Sequence, residues 1–463
     1  MTDCTANIGT SRFPAASQAA REWALESIAQ FREMGCLYEP GRYSPTPLCF
    51  SETTFSGMLD DVRSVLALAR RIAFDSGLVQ RWARPDQLAL LEKGLSRAVL
   101  PMMARPDGIF VDGNLKLLEL NIDSGLGGYF EVELAQQRLA EFNERFLDGA
   151  FMVPAVMPAI YAYLKSVAHS LDKPKWNVAV MIDNHLTDYN RSHAYLFVDK
   201  INQHVPEAYA KVVFPSELYQ EGSQLRDSDT TFDILWRFGS MAHSPDALAP
   251  SIAIQMTALD TNVILVCNPA DIGVEGKLIL ALLSEYADDD SSQLKDFEKQ
   301  LVSRLVPWTR TLRRGCTSYS GRPVDLEKFA VSEKDALVLK RAHSKSAQQV
   351  YIGSELSQED WNTRIWAALE DDISWVLQEN MKSDLIQFDY VRPDGTTYTL
   401  EQRYSINPFI FGDASAAPFI RVERDEKNRR IAIANVDAMA ICGVMVRPDP
   451  VNESGETTDK DSE

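Results

Sequence analysis

The run from Arg105 to Asp123, RPDGIFVDGNLKLLELNID, leaves its backbone few choices. Asp112-Gly113 separates two short apolar stretches, with Ile109 and Val111 before it and Leu115, Leu117 and Leu120 after it. An Asp-Gly pair there is a strong hairpin signal, because both central residues of the favoured turn need positive φ. Period-two alternation puts Lys116, Leu118 and Leu120 on one face of the second strand, and Leu117, Glu119 and Asn121 on the other. Glu119 and Asn121 then point the same way, roughly 7 Å apart along the strand. The turn folds Asp107 back beside Glu119. A surface hairpin with scattered charges is the competing reading of the same residues.

If the hairpin is more than surface, its chemistry is specific. Asp107, Glu119 and Asn121 offer two carboxylates and an amide oxygen, hard donors that suit Mg²⁺ clamped onto nucleotide phosphates. Arg105 adds a cation that could meet the same phosphates. Without a cation, Glu119 would face like charge from Asp107 and desolvation by its apolar neighbours.

Length and charge bound what surrounds the hairpin. A chain of 463 residues exceeds one compact core, so two or three domains are expected. A formal charge of −19 argues against a general nucleic-acid binder, while leaving room for a local basic pocket. The six cysteines form no CxxC pair, and the six histidines show no HxH or HExxH spacing, so no zinc site is expected. GxGxxG, GxSxG and GxxxxGK[ST] are all absent. The first residues lack a basic, then apolar, leader pattern, and no run approaches a membrane span. A reducing, cytoplasmic setting is the expectation.

Along the chain, residues 1–104 read as a helical region, with helices over 14–35 and within 52–103 and a Ser51 cap before the Met58-Val62-Leu66 stripe. The hairpin opens a segment, 105–173, that continues through a glycine-rich turn, SGLGG, into further helix. Between 174 and 270 strand and helix alternate: WNVAVMI, AKVVF, DILWRFG and NVILVCN read as strands of a parallel α/β domain. Residues 271–315 read as helical. From 336 an antiparallel region follows, with strands ALVLKRA and QQVYIG, a helix over 358–371, strand SWVLQENM, a hairpin turning at Pro393-Asp394-Gly395, and a last hairpin in PFIRVERDEKNRRIAIANV. The acidic tail 448–463 is expected to be disordered.

Three further positions carry chemistry. Lys340 ends the apolar strand LVLK and is placed to touch phosphate, although many strand-end lysines are simply solvated. Gln378-Glu379, closing WVLQE, can serve an adenine edge through the backbone and a ribose through the carboxylate, or belong to a plain edge strand. Arg237 lies at the carboxyl end of a strand in the α/β unit, where ligands collect, and could grip a carboxylate; pairing with Asp233 is the alternative. Trp361, Trp366 and Trp375 are expected in the core.

Together these segments resemble the ATP-grasp superfamily, in its circularly permuted branch that includes the glutathionylspermidine synthase family (the synthetase domain alone). Arg105, Asp107, Glu119, Asn121 and Asp123 fall at the spacing of that family's R-x-D and E-x-N-x-D patterns. EGKLILALL with Lys277 is similar to its helix-starting lysine segment, LVLKRA with Lys340 to its phosphate-lysine strand, and WVLQENM to its hinge strand. The E-x-N strand precedes the lysine strand, as in the permuted branch. One departure concerns the loop RAHSKSAQQ after Lys340, which has no glycine where the family's is glycine-rich. Either Ser344, Lys345 and Ser346 replace backbone contacts to phosphate, or ATP is held loosely.

The resemblance implies an α/β, circularly permuted ATP-grasp fold with an inserted parallel α/β domain, its nucleotide-binding region over 271–447. It implies an ATP- and Mg²⁺-dependent carboxylate–amine ligase working through an acylphosphate on small molecules or peptides. Asp107, Glu119 and Asn121 would hold metal; Lys277, Lys340 and Arg105 would offset phosphate charge; Gln378 and Glu379 would line the nucleoside pocket. Asp123 and Arg237 are candidate substrate contacts. Two alternatives stay open: a nucleotide-binding protein without turnover, and a small-molecule kinase. No nucleic acid or membrane partner is expected, and a homodimer is left open.

Overall fold

In the computed structural model, residues 8–10, 13–34, 43–75, 77, 88–96, 101–183, 186, 188–238, 245–272, 274–342, 349–423 and 439–449 are described. The Asp-Gly turn forms as its composition requires: Asp112 and Gly113 have φ of 51° and 72°, and Val111 pairs with Asn114 across it. The paired strands are Asp107–Val111 and Asn114–Glu119. They form one end of a six-stranded sheet that continues through Thr397–Asn407 and Phe419–Glu423 to Met439–Cys442, with Leu385–Val391 also on Thr397–Asn407. Gly395, with φ of 80°, turns the Leu385–Val391 hairpin where the Pro-Asp-Gly sequence places it.

A β-bulge changes the hairpin's alternation. Asp107 pairs with Glu119 but Gly108 with Leu117, so Leu118 is an extra residue in the second strand. One extra residue reverses side-chain parity. Leu117 therefore does not share a face with Glu119, as unbroken alternation had it. Leu115 and Leu117 enter the core before the bulge, and Leu120 and Ile122 enter it after. Glu119 and Asn121 are left together on the opposite, open side, with Leu118. The core they turn away from holds Met58, Val62 and Leu66 of the helix Glu52–Asp75 and Ile279, Leu280 and Leu283 of Leu278–Asp288. Burying each such side chain contributes about 1.5–3 kcal/mol.

A second antiparallel sheet runs Thr309–Thr311, Trp375–Glu379, Leu337–Arg341, Val350–Ile352. Its first strand lies inside 271–315, read as wholly helical from sequence; TRT alternates too briefly to announce a strand, and pairing with Val376, Leu377 and Gln378 decides it. A third sheet is fully parallel, in the order Ile264–Leu265, Ile234–Phe238, Trp176–Ile182, Ala208–Val213. These are the four strands expected between 174 and 270. The chain's early and late segments also meet, because Leu48–Ser51 pairs parallel with Val444–Arg447.

Several local expectations hold and others do not. Ser51 Oγ accepts from the Thr54 N–H at 3.2 Å, as a helix cap should. Trp361 and Trp375 are buried, but Trp366 is 46% exposed, on the outer face of Gln358–Leu369. The partner of Phe419–Glu423 is Met439–Cys442, beyond the return strand read from RIAIANV, which lies outside the described residues. So do Ser344, Lys345 and Ser346. Among the described residues no helix is long and apolar enough to cross a membrane.

Candidate active site

The two antiparallel sheets face each other across a cavity of about 770 Å³. Arg105, Asp107, Glu119, Asn121, Asp123, Lys277, Lys340, Gln378 and Glu379 all line it, together with Arg403 and Arg421. Residues far apart in the chain, from Arg105 to Arg421, are thus brought to one place. Arg237, of the sequence candidates, is not among the lining residues.

The hairpin supplies the floor. Arg105 N–H donates to Asn121 O at 2.8 Å, which closes the strands below the bulge. The Asn121 amide donates to Asp107 Oδ1 at 3.2 Å. Arg105 is itself braced: its guanidinium donates to Gly127 O at 2.5 Å and lies 5.7 Å from the centre of the Phe419 ring. Lys277 stands at the start of Leu278–Asp288, and its ammonium is 2.6 Å from Glu119 Oε1.

Arg421 was missed in the sequence reading. It occupies the middle of Phe419–Glu423, is 2% exposed, and pairs with Asp107 Oδ2 at 2.9 Å. Asn407 Oδ1 and Ser405 Oγ accept from the same guanidinium. The available signal was an arginine amid Phe419, Ile420 and Val422; a hydrated arginine face does not need a strand so apolar on both sides.

Electrostatics bind this group into one unit. Burial works against ionising Asp107, yet the guanidiniums of Arg421 and Arg105 and the Lys277 ammonium hold its carboxyl below the ordinary value. Burial pulls Lys340 down to about 8; Glu119 and Asp107 resist that and Lys277 adds to it. Four cations, Arg105, Lys277, Lys340 and Arg421, therefore surround two carboxylates, Asp107 and Glu119. A polyanion in the cavity would meet those four cations at fixed positions.

The donor set fits Mg²⁺ in the manner of that ion. Among the described residues no three His, Cys, Asp or Glu cluster as a closed cage. Magnesium does not need one: it is usually held by one or two carboxylates plus substrate phosphates and waters. Asp107, Glu119 and the Asn121 amide oxygen could meet that requirement.

Gln378 and Glu379 sit differently from each other. The Gln378 side chain is buried and turned to Lys340, 2.5 Å away. The Glu379 N–H donates to Trp308 O and the Asn380 N–H to Ala336 O, so both are spent on residues that precede the neighbouring strands. Arg237 ion-pairs with Asp123, both almost fully buried, rather than with Asp233, which takes Lys173. Ser124 Oγ donates to Arg237 O at 2.8 Å and Trp236 Nε1 donates to Ser124 O at 3.0 Å. The parallel sheet is thereby fastened to the turn that follows the hairpin.

Neither a protein-family model nor a curated protein matches the chain. Solved structures do. A glutathione synthetase-like effector from Globodera pallida is similar with a TM-score of 0.61 and 11% identity, over 94% of this chain and 99% of that one. A protein from Methylobacillus flagellatus provisionally assigned as a gamma-glutamylcysteine synthetase aligns with a TM-score of 0.43 and 10% identity, over 82% of this chain and 87% of that one. The first of these shows that the chain shares the fold of the Globodera protein, end to end.

Proposed function

We propose that the chain is an ATP- and Mg²⁺-dependent carboxylate–amine ligase of the ATP-grasp type. The observation that carries this is the convergence of Arg105, Lys277, Lys340 and Arg421 on Asp107, Glu119 and Asn121 in one cavity. The shared fold with a glutathione synthetase-like protein supports it. So does the order of the hairpin before the lysine strand, which we read as a permuted arrangement with the parallel sheet inserted.

In the proposed reaction a substrate carboxylate oxygen attacks the terminal phosphorus of ATP, and ADP leaves. An amine then attacks the acyl carbon of the acylphosphate, and phosphate leaves as the amide forms. Two anions must approach, and charge builds on the transferring phosphoryl group. Lys340, Lys277, Arg105 and Arg421 would offset that charge from fixed positions. Asp107, Glu119 and the Asn121 oxygen would hold Mg²⁺, which would supply positive charge against the phosphates. Glu379 would meet the ribose, and a base edge would be met beyond Asn380, whose N–H is committed. Asp123 would face the substrates, with Arg237 acting through it.

Incubation of the purified chain with ATP, Mg²⁺ and pooled amino acids and polyamines tests this. ADP release with a new amide mass is expected. Nucleotide binding without ADP release would favour a binding protein, and phosphate transfer to a hydroxyl would favour a kinase.

A further inference from the structure

Lys277 and Lys340 enter the same cavity but are held in opposite ways. Lys277 is paired with a carboxylate, Glu119. Lys340 donates to a neutral oxygen, Gln378 Oε1, at 2.5 Å. The polarity of that amide follows from its neighbours. Gln378 Nε2 lies 3.1 Å from Thr309 Oγ1, and Leu118 O is within 3.5 Å of the same nitrogen. The single Thr309 hydroxyl proton goes to Pro307 O at 2.8 Å, so Thr309 Oγ1 can only accept from Gln378. A flipped amide would set Gln378 Oε1 against two acceptors and its NH₂ against an ammonium. Hydrogen bonds therefore run one way, from Lys340 through Gln378 and Thr309 to a backbone carbonyl, with Gln378 and Thr309 both buried.

A neutral holder has a consequence that a carboxylate would not. It fixes the ammonium without cancelling its charge, which stays available to an anion in the cavity. We propose that Gln378 and Thr309 are positioning residues for Lys340, a relay that presents its ammonium, hydrogen-bonded to a neutral oxygen, to a phosphate oxygen of the bound nucleotide. The identity of the anion rests on the reading under Proposed function; the relay itself does not. It also gives Gln378 a task apart from the nucleobase.

The test uses the full chain carrying ¹³Cε-labelled lysine, with Lys340 assigned by its loss in Lys340→Arg. Two quantities are read: the Lys340 titration midpoint by NMR, and the affinity for ATP with Mg²⁺ by calorimetry. Glu119, Lys277 and Asp107 also act on this ammonium and are unchanged in every variant. Thr309→Val frees the amide to turn, so the midpoint should fall by about half a unit or more and affinity about tenfold. Thr309→Ser, which keeps the hydroxyl, should restore both. Gln378→Glu should raise the midpoint yet also weaken affinity, because the carboxylate cancels the charge. A midpoint unmoved in both Thr309→Val and Gln378→Glu, with only thermal stability lowered, overturns the relay. If Thr309→Val does not fold, Gln378→Glu and Thr309→Ser decide. Should the parent not bind ATP, the nucleotide reading fails while the midpoints still judge the relay.

Discussion

Lys277 Nζ lies 2.6 Å from Glu119 Oε1 although the two residues are 158 positions apart. The backbone makes the meeting possible. Leu120 and Gly276 exchange N–H···O bonds of 3.3 and 2.7 Å, one residue beyond Glu119 and one before Lys277. Gly276 has φ of 107°, a conformation that side-chain-bearing residues rarely adopt. This short bridge ties the end of the hairpin to the start of the helix Leu278–Asp288, and the ion pair follows from it.

Glu119→Gln is the first consequence. From sequence alone, relief of repulsion with Asp107 promised a more stable metal-free protein. The structure reverses the sign, since Asp107 already has Arg421 and Glu119 already has Lys277. The substitution removes the carboxylate that pairs with the Lys277 ammonium, whose side chain is 3% exposed. Urea unfolding should show a loss of about 2 kcal/mol, less than for a wholly buried pair because Glu119 is partly exposed. Turnover should fall by at least about a hundredfold, or ~2.7 kcal/mol of barrier. ADP release within about threefold of the parent would remove the hairpin from the metal site.

What the sequence disclosed and what it hid follow from range. The hairpin was legible because Asp112-Gly113 is a local steric instruction, and Glu119 with Asn121 because alternation is local too. The bulge at Leu118 was not, since one extra residue among leucines leaves no trace in composition. It kept Glu119 beside Asn121 but sent Leu117 to the core. Lys340 was found as a strand-end lysine; its holder Gln378 was assigned to the base by resemblance, and the strand Thr309–Thr311, which turns the amide, was not read from the sequence. Arg421 carried only the signal of the apolar strand around it, because its role depends on Asp107, more than three hundred residues earlier.

The buried ammonium of Lys340 predicts a pH effect of definite sign. Its pKa is about 8 in the folded chain, against about 10.4 for an unperturbed lysine. Between those values the unfolded chain holds more protons, so this group's contribution to stability rises with pH. Its cost is fully present below about pH 8 and is relieved as pH climbs through that value. Lys340→Met should therefore be more stable than the parent at about pH 7, and the advantage should shrink by about pH 10. Urea midpoints of both proteins at the two pH values check this; an advantage that grows with pH contradicts it.

The same group predicts a proton linkage. A polyphosphate beside Lys340 favours the charged amine, so binding above about pH 8 should draw a proton from solvent. Calorimetry of ATP with Mg²⁺ in buffers of differing ionisation enthalpy measures that uptake directly. No buffer dependence at about pH 8.5, above the value of about 8 to which burial brings Lys340, would place the phosphates away from Lys340.

Arg421→Met should be the most damaging single change on the six-stranded sheet. It removes the cation paired with Asp107 and leaves Ser405 and Asn407 without their shared donor. Breaking a buried pair from one side costs about 3–5 kcal/mol. Asp107 should then lose much of the support that holds its carboxyl low. Where Arg421→Lys folds, ATP affinity should lie between that of Arg421→Met and the parent, because the charge is kept and the forked geometry is lost. Equal affinity in all three proteins would leave Arg421 a purely structural residue.

Arg237 and Asp123 offer a cleaner separation of structure from substrate contact. Both side chains are 2% exposed and paired, and only Asp123 faces the cavity. A buried pair cut from one side leaves an uncompensated charge, whereas replacing both partners is often close to neutral. Arg237→Met should therefore cost about 3–5 kcal/mol of stability, and Arg237→Met combined with Asp123→Asn considerably less. Urea unfolding of the four proteins in that cycle measures the coupling. If Arg237 acts through Asp123, the Michaelis constant for the carboxylate substrate should follow Asp123→Asn whether or not Arg237 is present. An Arg237→Met protein of parental stability whose Michaelis constant rises about tenfold would instead put the guanidinium itself on the substrate.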